Sequence, residues 1–310
     1  MKNEIFDTSS VIYLENKNID RAKWDKCIDN ASNGLIYAYS FYLDAMAKHW
    51  DGLVKNDYET VMPLPWNKKY GIYYLYQPFL CACLGVFGNN ITAETVSWFL
   101  NKIPKRFQYR DIYLNKGNLF KQAGFTIYPR TNHILNLNHS YNFLFNNYRN
   151  SYRQILNKAD RNKLELRKNI PINYPVELVK KKLKNVAAIR EVDYENFIRL
   201  YNSCERNSNA KNYAVYVNGE LMASGVFLFS HQRAYYILAG NNPNGRAIGA
   251  SHMILDAFIK DHAGKNLVLD FEGSNVKNIA FFFKGFGAAE ETYPGLKYNA
   301  LPWYIRWLKK

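Results

Sequence analysis

The sequence predicts a mixed α/β fold, with helices and strands alternating around a mixed sheet. Three observations predict it. Capped, amphipathic stretches alternate with short β-branched and aromatic runs along the chain, a pattern of neither a bundle nor a sandwich. Asn218-Gly219 lies between two apolar runs, the signature of a tight hairpin. Two strand–loop–helix units then follow each other at 234–258 and 267–284. With 310 residues, 48% apolar and 16% aromatic, the chain has ample core material and is not a disordered or collagen-like polymer. One core is near its size limit at this length. Two domains are therefore expected, 1–140 and 141–310, with 296–310 a tail free to dock elsewhere.

The elements follow in order. A strand is expected at 11–14, and Asp20 can cap a helix at 21–31. A helix at 41–50, strands at 60–65 and 71–76, a Thr92-capped helix at 93–103 and strands at 111–114 and 125–128 complete the first half. Leu144, Tyr148, Tyr152, Ile155 and Ala159 recur at three- and four-residue steps, which predicts one amphipathic helix with Arg149, Arg153 and Arg161 on another face. Leu164 and Leu166 alternate with charges as in a strand. Asp193 can cap a helix to about 205, and strands at 213–217, 221–229 and 234–238 form a small sheet. After the polar loop 241–246 a helix is expected from Ala247, then a strand at 267–271, a helix at 276–284 and a last strand near Ala289.

Charge and cysteine usage narrow the function classes. The formal charge is +15, and residues 141–190 hold twelve basic side chains against three acidic ones. Such a cluster attracts polyanions: nucleic acid, a nucleotide-bearing substrate or an acidic membrane face. Arg149, Arg153, Lys158 and Arg161 are the candidate contacts; a solvated helix face is the alternative reading. Cys27, Cys81, Cys83 and Cys204 make no disulfide framework and no paired Cys-x-x-Cys zinc signature, so no metal is expected. Cys81 and Cys83 read as small buried residues on one side of a strand. Glu4 and Asp7 interrupt any export signal, and the most apolar run, 75–88, is too short to cross a bilayer. A cytoplasmic protein is expected. Phosphate-loop NTPase, serine hydrolase and zinc protease motifs are missing. Residues 301–310 mix Trp and Tyr with basic ends, which suits docking on the domain or contact with a membrane interface.

The loop before the helix at Ala247 has the chemistry of a phosphate cradle. A helix N-terminus offers unpaired N–H groups, Gly245 and Gly249 permit close approach, and Arg246 adds full charge. Arg246-Ala247-Ile248-Gly249-Ala250 resembles the [Gln/Arg]-x-x-Gly-x-[Gly/Ala] loop of the GNAT superfamily of acyltransferases, with Ser251 in place of the last small residue. Asp270-Phe271-Glu272-Gly273-Ser274, then Asn278, Ala280 and 281–288, is similar to a segment of GNAT and Fem-type peptidyltransferases. There a strand ending in Asp-Phe-x-Gly leads into a helix closed by Phe/Tyr-Lys-x-Phe-Gly. Tyr152-Arg153-Gln154-Ile155-Leu156-Asn157-Lys158-Ala159, with Leu164-Glu165-Leu166, is similar to the opening of the second domain in Fem-like proteins. The resemblance covers about 140–295, and no motif matches in 1–140.

The resemblance implies tandem GNAT-like (acyl-CoA N-acyltransferase) domains, the second holding the donor. It implies transfer of an acyl group from acyl-CoA or aminoacyl-tRNA to the amine of a small molecule or peptide precursor, in the Fem branch as part of cell-envelope metabolism. Gly245, Arg246, Ala247, Ile248, Gly249 and Ala250 would hold the donor phosphates. Glu272 or Asp270, at the strand end, would accept the amine proton directly or through water; bracing of the loop is the alternative role. Phe283 stands where many GNAT enzymes carry a Tyr acid, which leaves Tyr293 and Tyr298 as substitutes. A second class of function stays open: a non-catalytic GNAT-fold protein that binds nucleic acid or anionic membrane through its basic face.

Overall fold

The computed structural model describes residues 11–120, 124–159, 164–183, 189–273 and 275–307. It divides into two compact units, Met1–Arg130 with Thr292–Lys310, and Thr131–Glu291. The chain passes between them twice, so the units differ from a single division at residue 140, and the C-terminal segment returns to the first unit.

The first unit contains β1 (Val11–Leu14), α1 (Arg21–Asn30), α2 (Ser40–Met46), β2 (His49–Lys55), β3 (Thr60–Lys69), β4 (Ile72–Leu75), β5 (Phe87–Gly88), α3 (Ala93–Lys102) and β6 (Phe107–Tyr113). Strand β7 (Thr126–Asn136) begins in this unit and ends in the second. The helices start where their caps predict: the Asp20 side chain accepts the Lys23 N–H, and Thr92 accepts that of Thr95. The helix expected over 41–50 stops at Met46, because Trp50 belongs to β2, where pairing with β3 overrides helical spacing. Leu53, Leu64, Phe99, Phe107 and Leu296 fill the core. Cys81 and Cys83 lie in a loop, not on a strand, and the Gln77 amide donates to the Cys81 carbonyl.

The second unit adds α4 (Tyr141–Asn146), α5 (Asn150–Ala159), β8 (Glu165–Lys168), α6 (Asn173–Leu183), α7 (Glu191–Arg206), β9 (Ala210–Val217), β10 (Glu220–Ser230), β11 (Arg233–Asn241), α8 (Pro243–Ala247), α9 (Ala250–His262), β12 (Val268–Asp270) and α10 (Lys277–Lys284). Strand β13 (Ala289–Asn299) leads back to the first unit, followed by α11 (Trp303–Arg306). The second unit's strands run in the order β7-β12-β11-β10-β9-β8. Only β11 and β12 are parallel neighbours; the other pairs are antiparallel. Asn218 and Gly219 both take positive φ, 50° and 81°, as the β9–β10 hairpin requires.

Three local expectations change. The single helix expected from Leu144 breaks at residues 147–149 into α4 and α5, although Leu144, Tyr148 and Tyr152 still face the core. Asp193 is not the cap of α7 but its third residue, and its carboxylate accepts the N–H of the capping Arg190. Helix α6 is absent from the sequence reading. It lies on the sheet with Leu178 and Val179 against Gly240. On the other side of the sheet Phe227 stacks on Phe258, with centroids 3.8 Å apart and planes at 12°.

Candidate functional site

The parallel pair is the point where the second unit opens. β11 and β12 match Arg233 to Val268, Ala234 to Leu269 and Tyr235 to Asp270, and then part. β12 ends there, while β11 continues to Asn241. Two backbone features accompany the separation. Glu272 and Gly273 take φ of 66° and 74°, which ends extended pairing. On β11 the register with β10 shifts between Val226 and Phe227, a bulge that leaves Ile237 unopposed. Residues 236–241 of β11 thus have no strand partner on the β12 side among the described residues.

Asp270 sits at the base of this fork, 4% exposed. Its Oδ2 takes the Arg233 Nη1 at 2.6 Å, and its Oδ1 accepts from Asn132 Nδ2 at 2.9 Å and from the Glu272 N–H at 2.8 Å. Arg233 also lies 3.5 Å from Glu291 Oε2. Burial works against the Arg233 charge, but Asp270 and Glu291 raise its pKa on balance, so it stays a cation. Asp270 is thereby committed to bracing the fork. Glu272 is half-buried at the start of the turn that leaves it.

On the opposite face Phe271 stacks on Phe283 at 4.6 Å, with Tyr236 edge-on to both. Phe283 is buried and brings no hydroxyl. Tyr293 and Tyr298 belong to the first unit, where Tyr298 lies under the Arg110 guanidinium. His133 is fully buried with neither ring nitrogen hydrogen-bonded among the described residues. Burial holds its pKa below the ordinary value, and its Nε2 is 3.9 Å from Glu290 Oε1, which binds Lys284 Nζ at 2.5 Å. Sequence reasoning missed His133, Asn132 and Arg233. They lie far from the motifs along the chain, and a lone His or Arg on a strand carries no pattern.

The expected cradle is two pieces, not a loop and one helix. Asn242 caps α8 by accepting the Gly245 N–H at 2.6 Å, and Gly249, at φ 76°, precedes α9. The two glycines answer to packing. A Cβ at Gly245 would meet the Met222 carbonyl oxygen at 2.2 Å, and one at Gly249 would meet Ile155 Cγ2 at 2.3 Å. The N–H groups of Gly245, Arg246, Ile248 and Gly249 are bonded within the turn. Those of Ala250 and Ser251, at the start of α9, have no acceptor among the described residues. Ala247 and Arg246 are exposed, and the Arg246 guanidinium has no ion-pair partner among the described residues. Ala250 is fully buried, so among the described residues the half-buried Ser251 N–H and the exposed Arg246 guanidinium are what this helix start offers a phosphate-bearing group.

The three sequence motifs converge here. Arg149 donates its N–H to the Gly285 carbonyl and lays its guanidinium 3.6 Å over Phe281. The Tyr152 ring covers Gly285, where a Cβ would come within 2.1 Å, and meets His252 and Phe286. Burial pushes the His252 pKa down to about 4. Arg149 is thus largely a packing residue, Arg153 bonds Asn150, Lys158 is exposed, and Arg161 lies outside the described residues. Elsewhere in the basic segment Arg167, Lys168, Lys180 and Arg190 each pair with a carboxylate. Burial pushes the Cys27 and Cys204 thiols up to about 11, so neither is a nucleophile at neutral pH. Among the described residues no cluster of His, Cys, Asp and Glu could hold a metal, and no helix is long and apolar enough to cross a membrane.

No family model matches the chain, and no curated protein matches it. Solved structures do. FemX is 12% identical with a TM-score of 0.68, covering 96% of this chain and 99% of its own. A conserved protein of unknown function from Bacteroides thetaiotaomicron is 13% identical with a TM-score of 0.58, over 90% and 97%. A tandem GNAT protein from the clavulanic acid biosynthesis pathway is 10% identical with a TM-score of 0.55, over 94% and 99%. The chain has a Fem-like tandem GNAT fold.

Proposed function

We propose that the chain is an N-acyltransferase or aminoacyltransferase whose chemistry takes place at the β11–β12 fork. One observation carries the reading: a parallel pair that parts beside a helix start with unsatisfied N–H groups. An extended, amide-bearing donor arm can take up the unpaired edge of β11 at 236–241, while its phosphates meet the Ser251 N–H and Arg246. The Fem and GNAT resemblance supplies the two donor classes, acyl-CoA and aminoacyl-tRNA, and an amine acceptor in a small molecule or peptide precursor of the cell envelope.

At the fork the acceptor nitrogen attacks the donor carbonyl carbon, and the bond to the leaving sulfur or oxygen breaks. Glu272 takes the amine proton and returns it to the leaving group, so one carboxylate balances the transfer without a hydroxyl at position 283. Asp270 is a positioning residue that holds Arg233, Asn132 and the Glu272 backbone. A second reading, a non-catalytic polyanion-binding protein, draws support from the missing hydroxyl of Phe283.

Calorimetric titration with acetyl-CoA, longer acyl-CoA esters, and charged and uncharged tRNA at matched salt separates these. We expect one donor class to bind and Arg246→Ala to weaken it about tenfold, as for one lost charge-assisted contact. Binding to neither donor, or full affinity in Arg246→Ala, would sink the cradle. Steeply salt-dependent tRNA binding without turnover would favour the second reading.

A further inference from the structure

At one end of the first unit's sheet, strand register brings three separate chain segments together. Lys69 of β3 faces Ile72 of β4 across the Tyr70-Gly71 turn. Tyr73 of β4 faces Phe107, the first residue of β6, and Tyr109 of β6 faces Asn299, the last residue of β13. The Ala300 N–H then bonds the Gln108 carbonyl and starts the segment that carries α11. No acidic residue occurs in 66–72, 102–107 or 299–307. Lys68, Lys69, Lys102, Lys105 and Arg306 are exposed there.

The same end exposes large rings. Tyr70 is 91% exposed and Trp303 84%, and Tyr304 and Trp307 are exposed as well. These rings are not on a loose tail. Leu301 is buried, Arg306 Nε donates to the Leu301 carbonyl at 3.0 Å, Asn299 Nδ2 to the Arg306 carbonyl at 3.2 Å, and Trp307 Nε1 to the Tyr304 carbonyl at 2.9 Å. A turn held by its own hydrogen bonds thus presents apolar rings to water, which is unfavourable unless something covers them.

We propose that this end of the first unit seats on the surface of a bilayer containing anionic phospholipid. Indole and phenol rings, apolar in body and polar at the tip, fit the headgroup boundary, and although Arg106 pairs with Asp51, the exposed lysines of these acid-free segments fit anionic headgroups. Duplex nucleic acid would take the cations and leave the rings in water. The inference is independent of the transfer reaction, since none of these residues belongs to the second unit.

The full chain is sedimented with vesicles of phosphatidylcholine alone and with vesicles that also contain phosphatidylglycerol. Binding is expected only to the latter and falls with salt. The variant Trp303→Ser/Tyr304→Ser/Trp307→Ser lowers the partition coefficient at least about tenfold. Lys68→Gln/Lys69→Gln/Lys105→Gln lowers it about fivefold for each lysine. All six side chains are exposed, and an unchanged circular-dichroism melt confirms that each variant is folded. Absence of binding to the phosphatidylglycerol vesicles, equal binding to both vesicle types, or full binding by both variants overturns the proposal. So does binding to tRNA at matched salt, lost in the lysine variant, with the vesicles left unbound.

Discussion

Both units contain a parallel strand pair that parts, β4 with β6 in the first and β11 with β12 in the second, and among the described residues only the first is closed by its own chain. In the first unit, pairing runs from Tyr73 opposite Phe107 to Leu75 opposite Arg110. Later residues of the connection then line β6 further along, where Leu84 forms a parallel bridge with Leu114. The Gln77 side-chain oxygen accepts the Tyr113 N–H at 3.2 Å, the Leu84 N–H donates to the Tyr113 carbonyl at 2.8 Å, and the Asn115 N–H donates to the Leu84 carbonyl at 2.7 Å. Residues 76–92 separate β4 from α3, enough chain to fill the gap, whereas only 242–249 separate β11 from α9. Backbone groups at a buried edge need partners. The first unit supplies them from within, whereas among the described residues those of the second have no strand partner, and the proposed donor arm would take them up.

Four substitutions or conditions test that contrast, in order of expected effect. Glu272→Gln should reduce kcat by about 10²–10⁴ with an unchanged melting temperature, while Gln77→Ala in the closed fork leaves kcat alone. Full turnover in Glu272→Gln would remove that carboxylate from the mechanism. Next, Arg233→Met should cost about 3–5 kcal/mol in urea unfolding because it strands the buried Asp270 carboxylate. Most of that loss should return in Arg233→Met/Asp270→Leu; strictly additive losses would mean that the two are not coupled.

Leu84→Ala should destabilise the first unit by about 2–4 kcal/mol through a cavity at the closed fork, with donor affinity unaltered. A change in donor Kd would show that the first fork also takes part in binding. The smallest effect concerns His252, which burial keeps neutral with a pKa of about 4. In the unfolded chain it protonates near its ordinary value, so the unfolded state binds more protons between about pH 6.5 and 4. Stability is then complete above that window and falls as pH drops through it, by up to about 1.4 kcal/mol per pH unit. His252→Phe should flatten this part of the stability–pH curve; an unchanged slope would assign it to other groups.

Several elements of both units were legible because they are specified locally. Asn218-Gly219 announces a hairpin through positive φ, Asp20 and Thr92 announce helix starts through their caps, and the motifs around Tyr152, Gly249 and Phe286 announce a fold. The structure explains those motifs as packing as much as chemistry: Gly249 makes room for Ile155, and Gly285 makes room for Tyr152. The misread elements are those settled by distant partners. His49–Lys55 is a strand because β1 and β3 pair with it on its two edges, and α4 and α5 share an apolar face that hides the break between them.

By itself the sequence determined the mixed α/β class, the hairpin, the capped starts of α1 and α3, the positions of the three motifs and the basic, aromatic character of residues 301–310, because backbone preference and side-chain period act over a few residues. Only the tertiary structure decided that Asp270 is held by Arg233 and Asn132, that β11 keeps an unpaired edge while β6 does not, and that Tyr70 and Trp303 share one end of a sheet. Each of these depends on strand register between segments far apart in the chain, and register is set by which faces can be buried together, a property no local window contains.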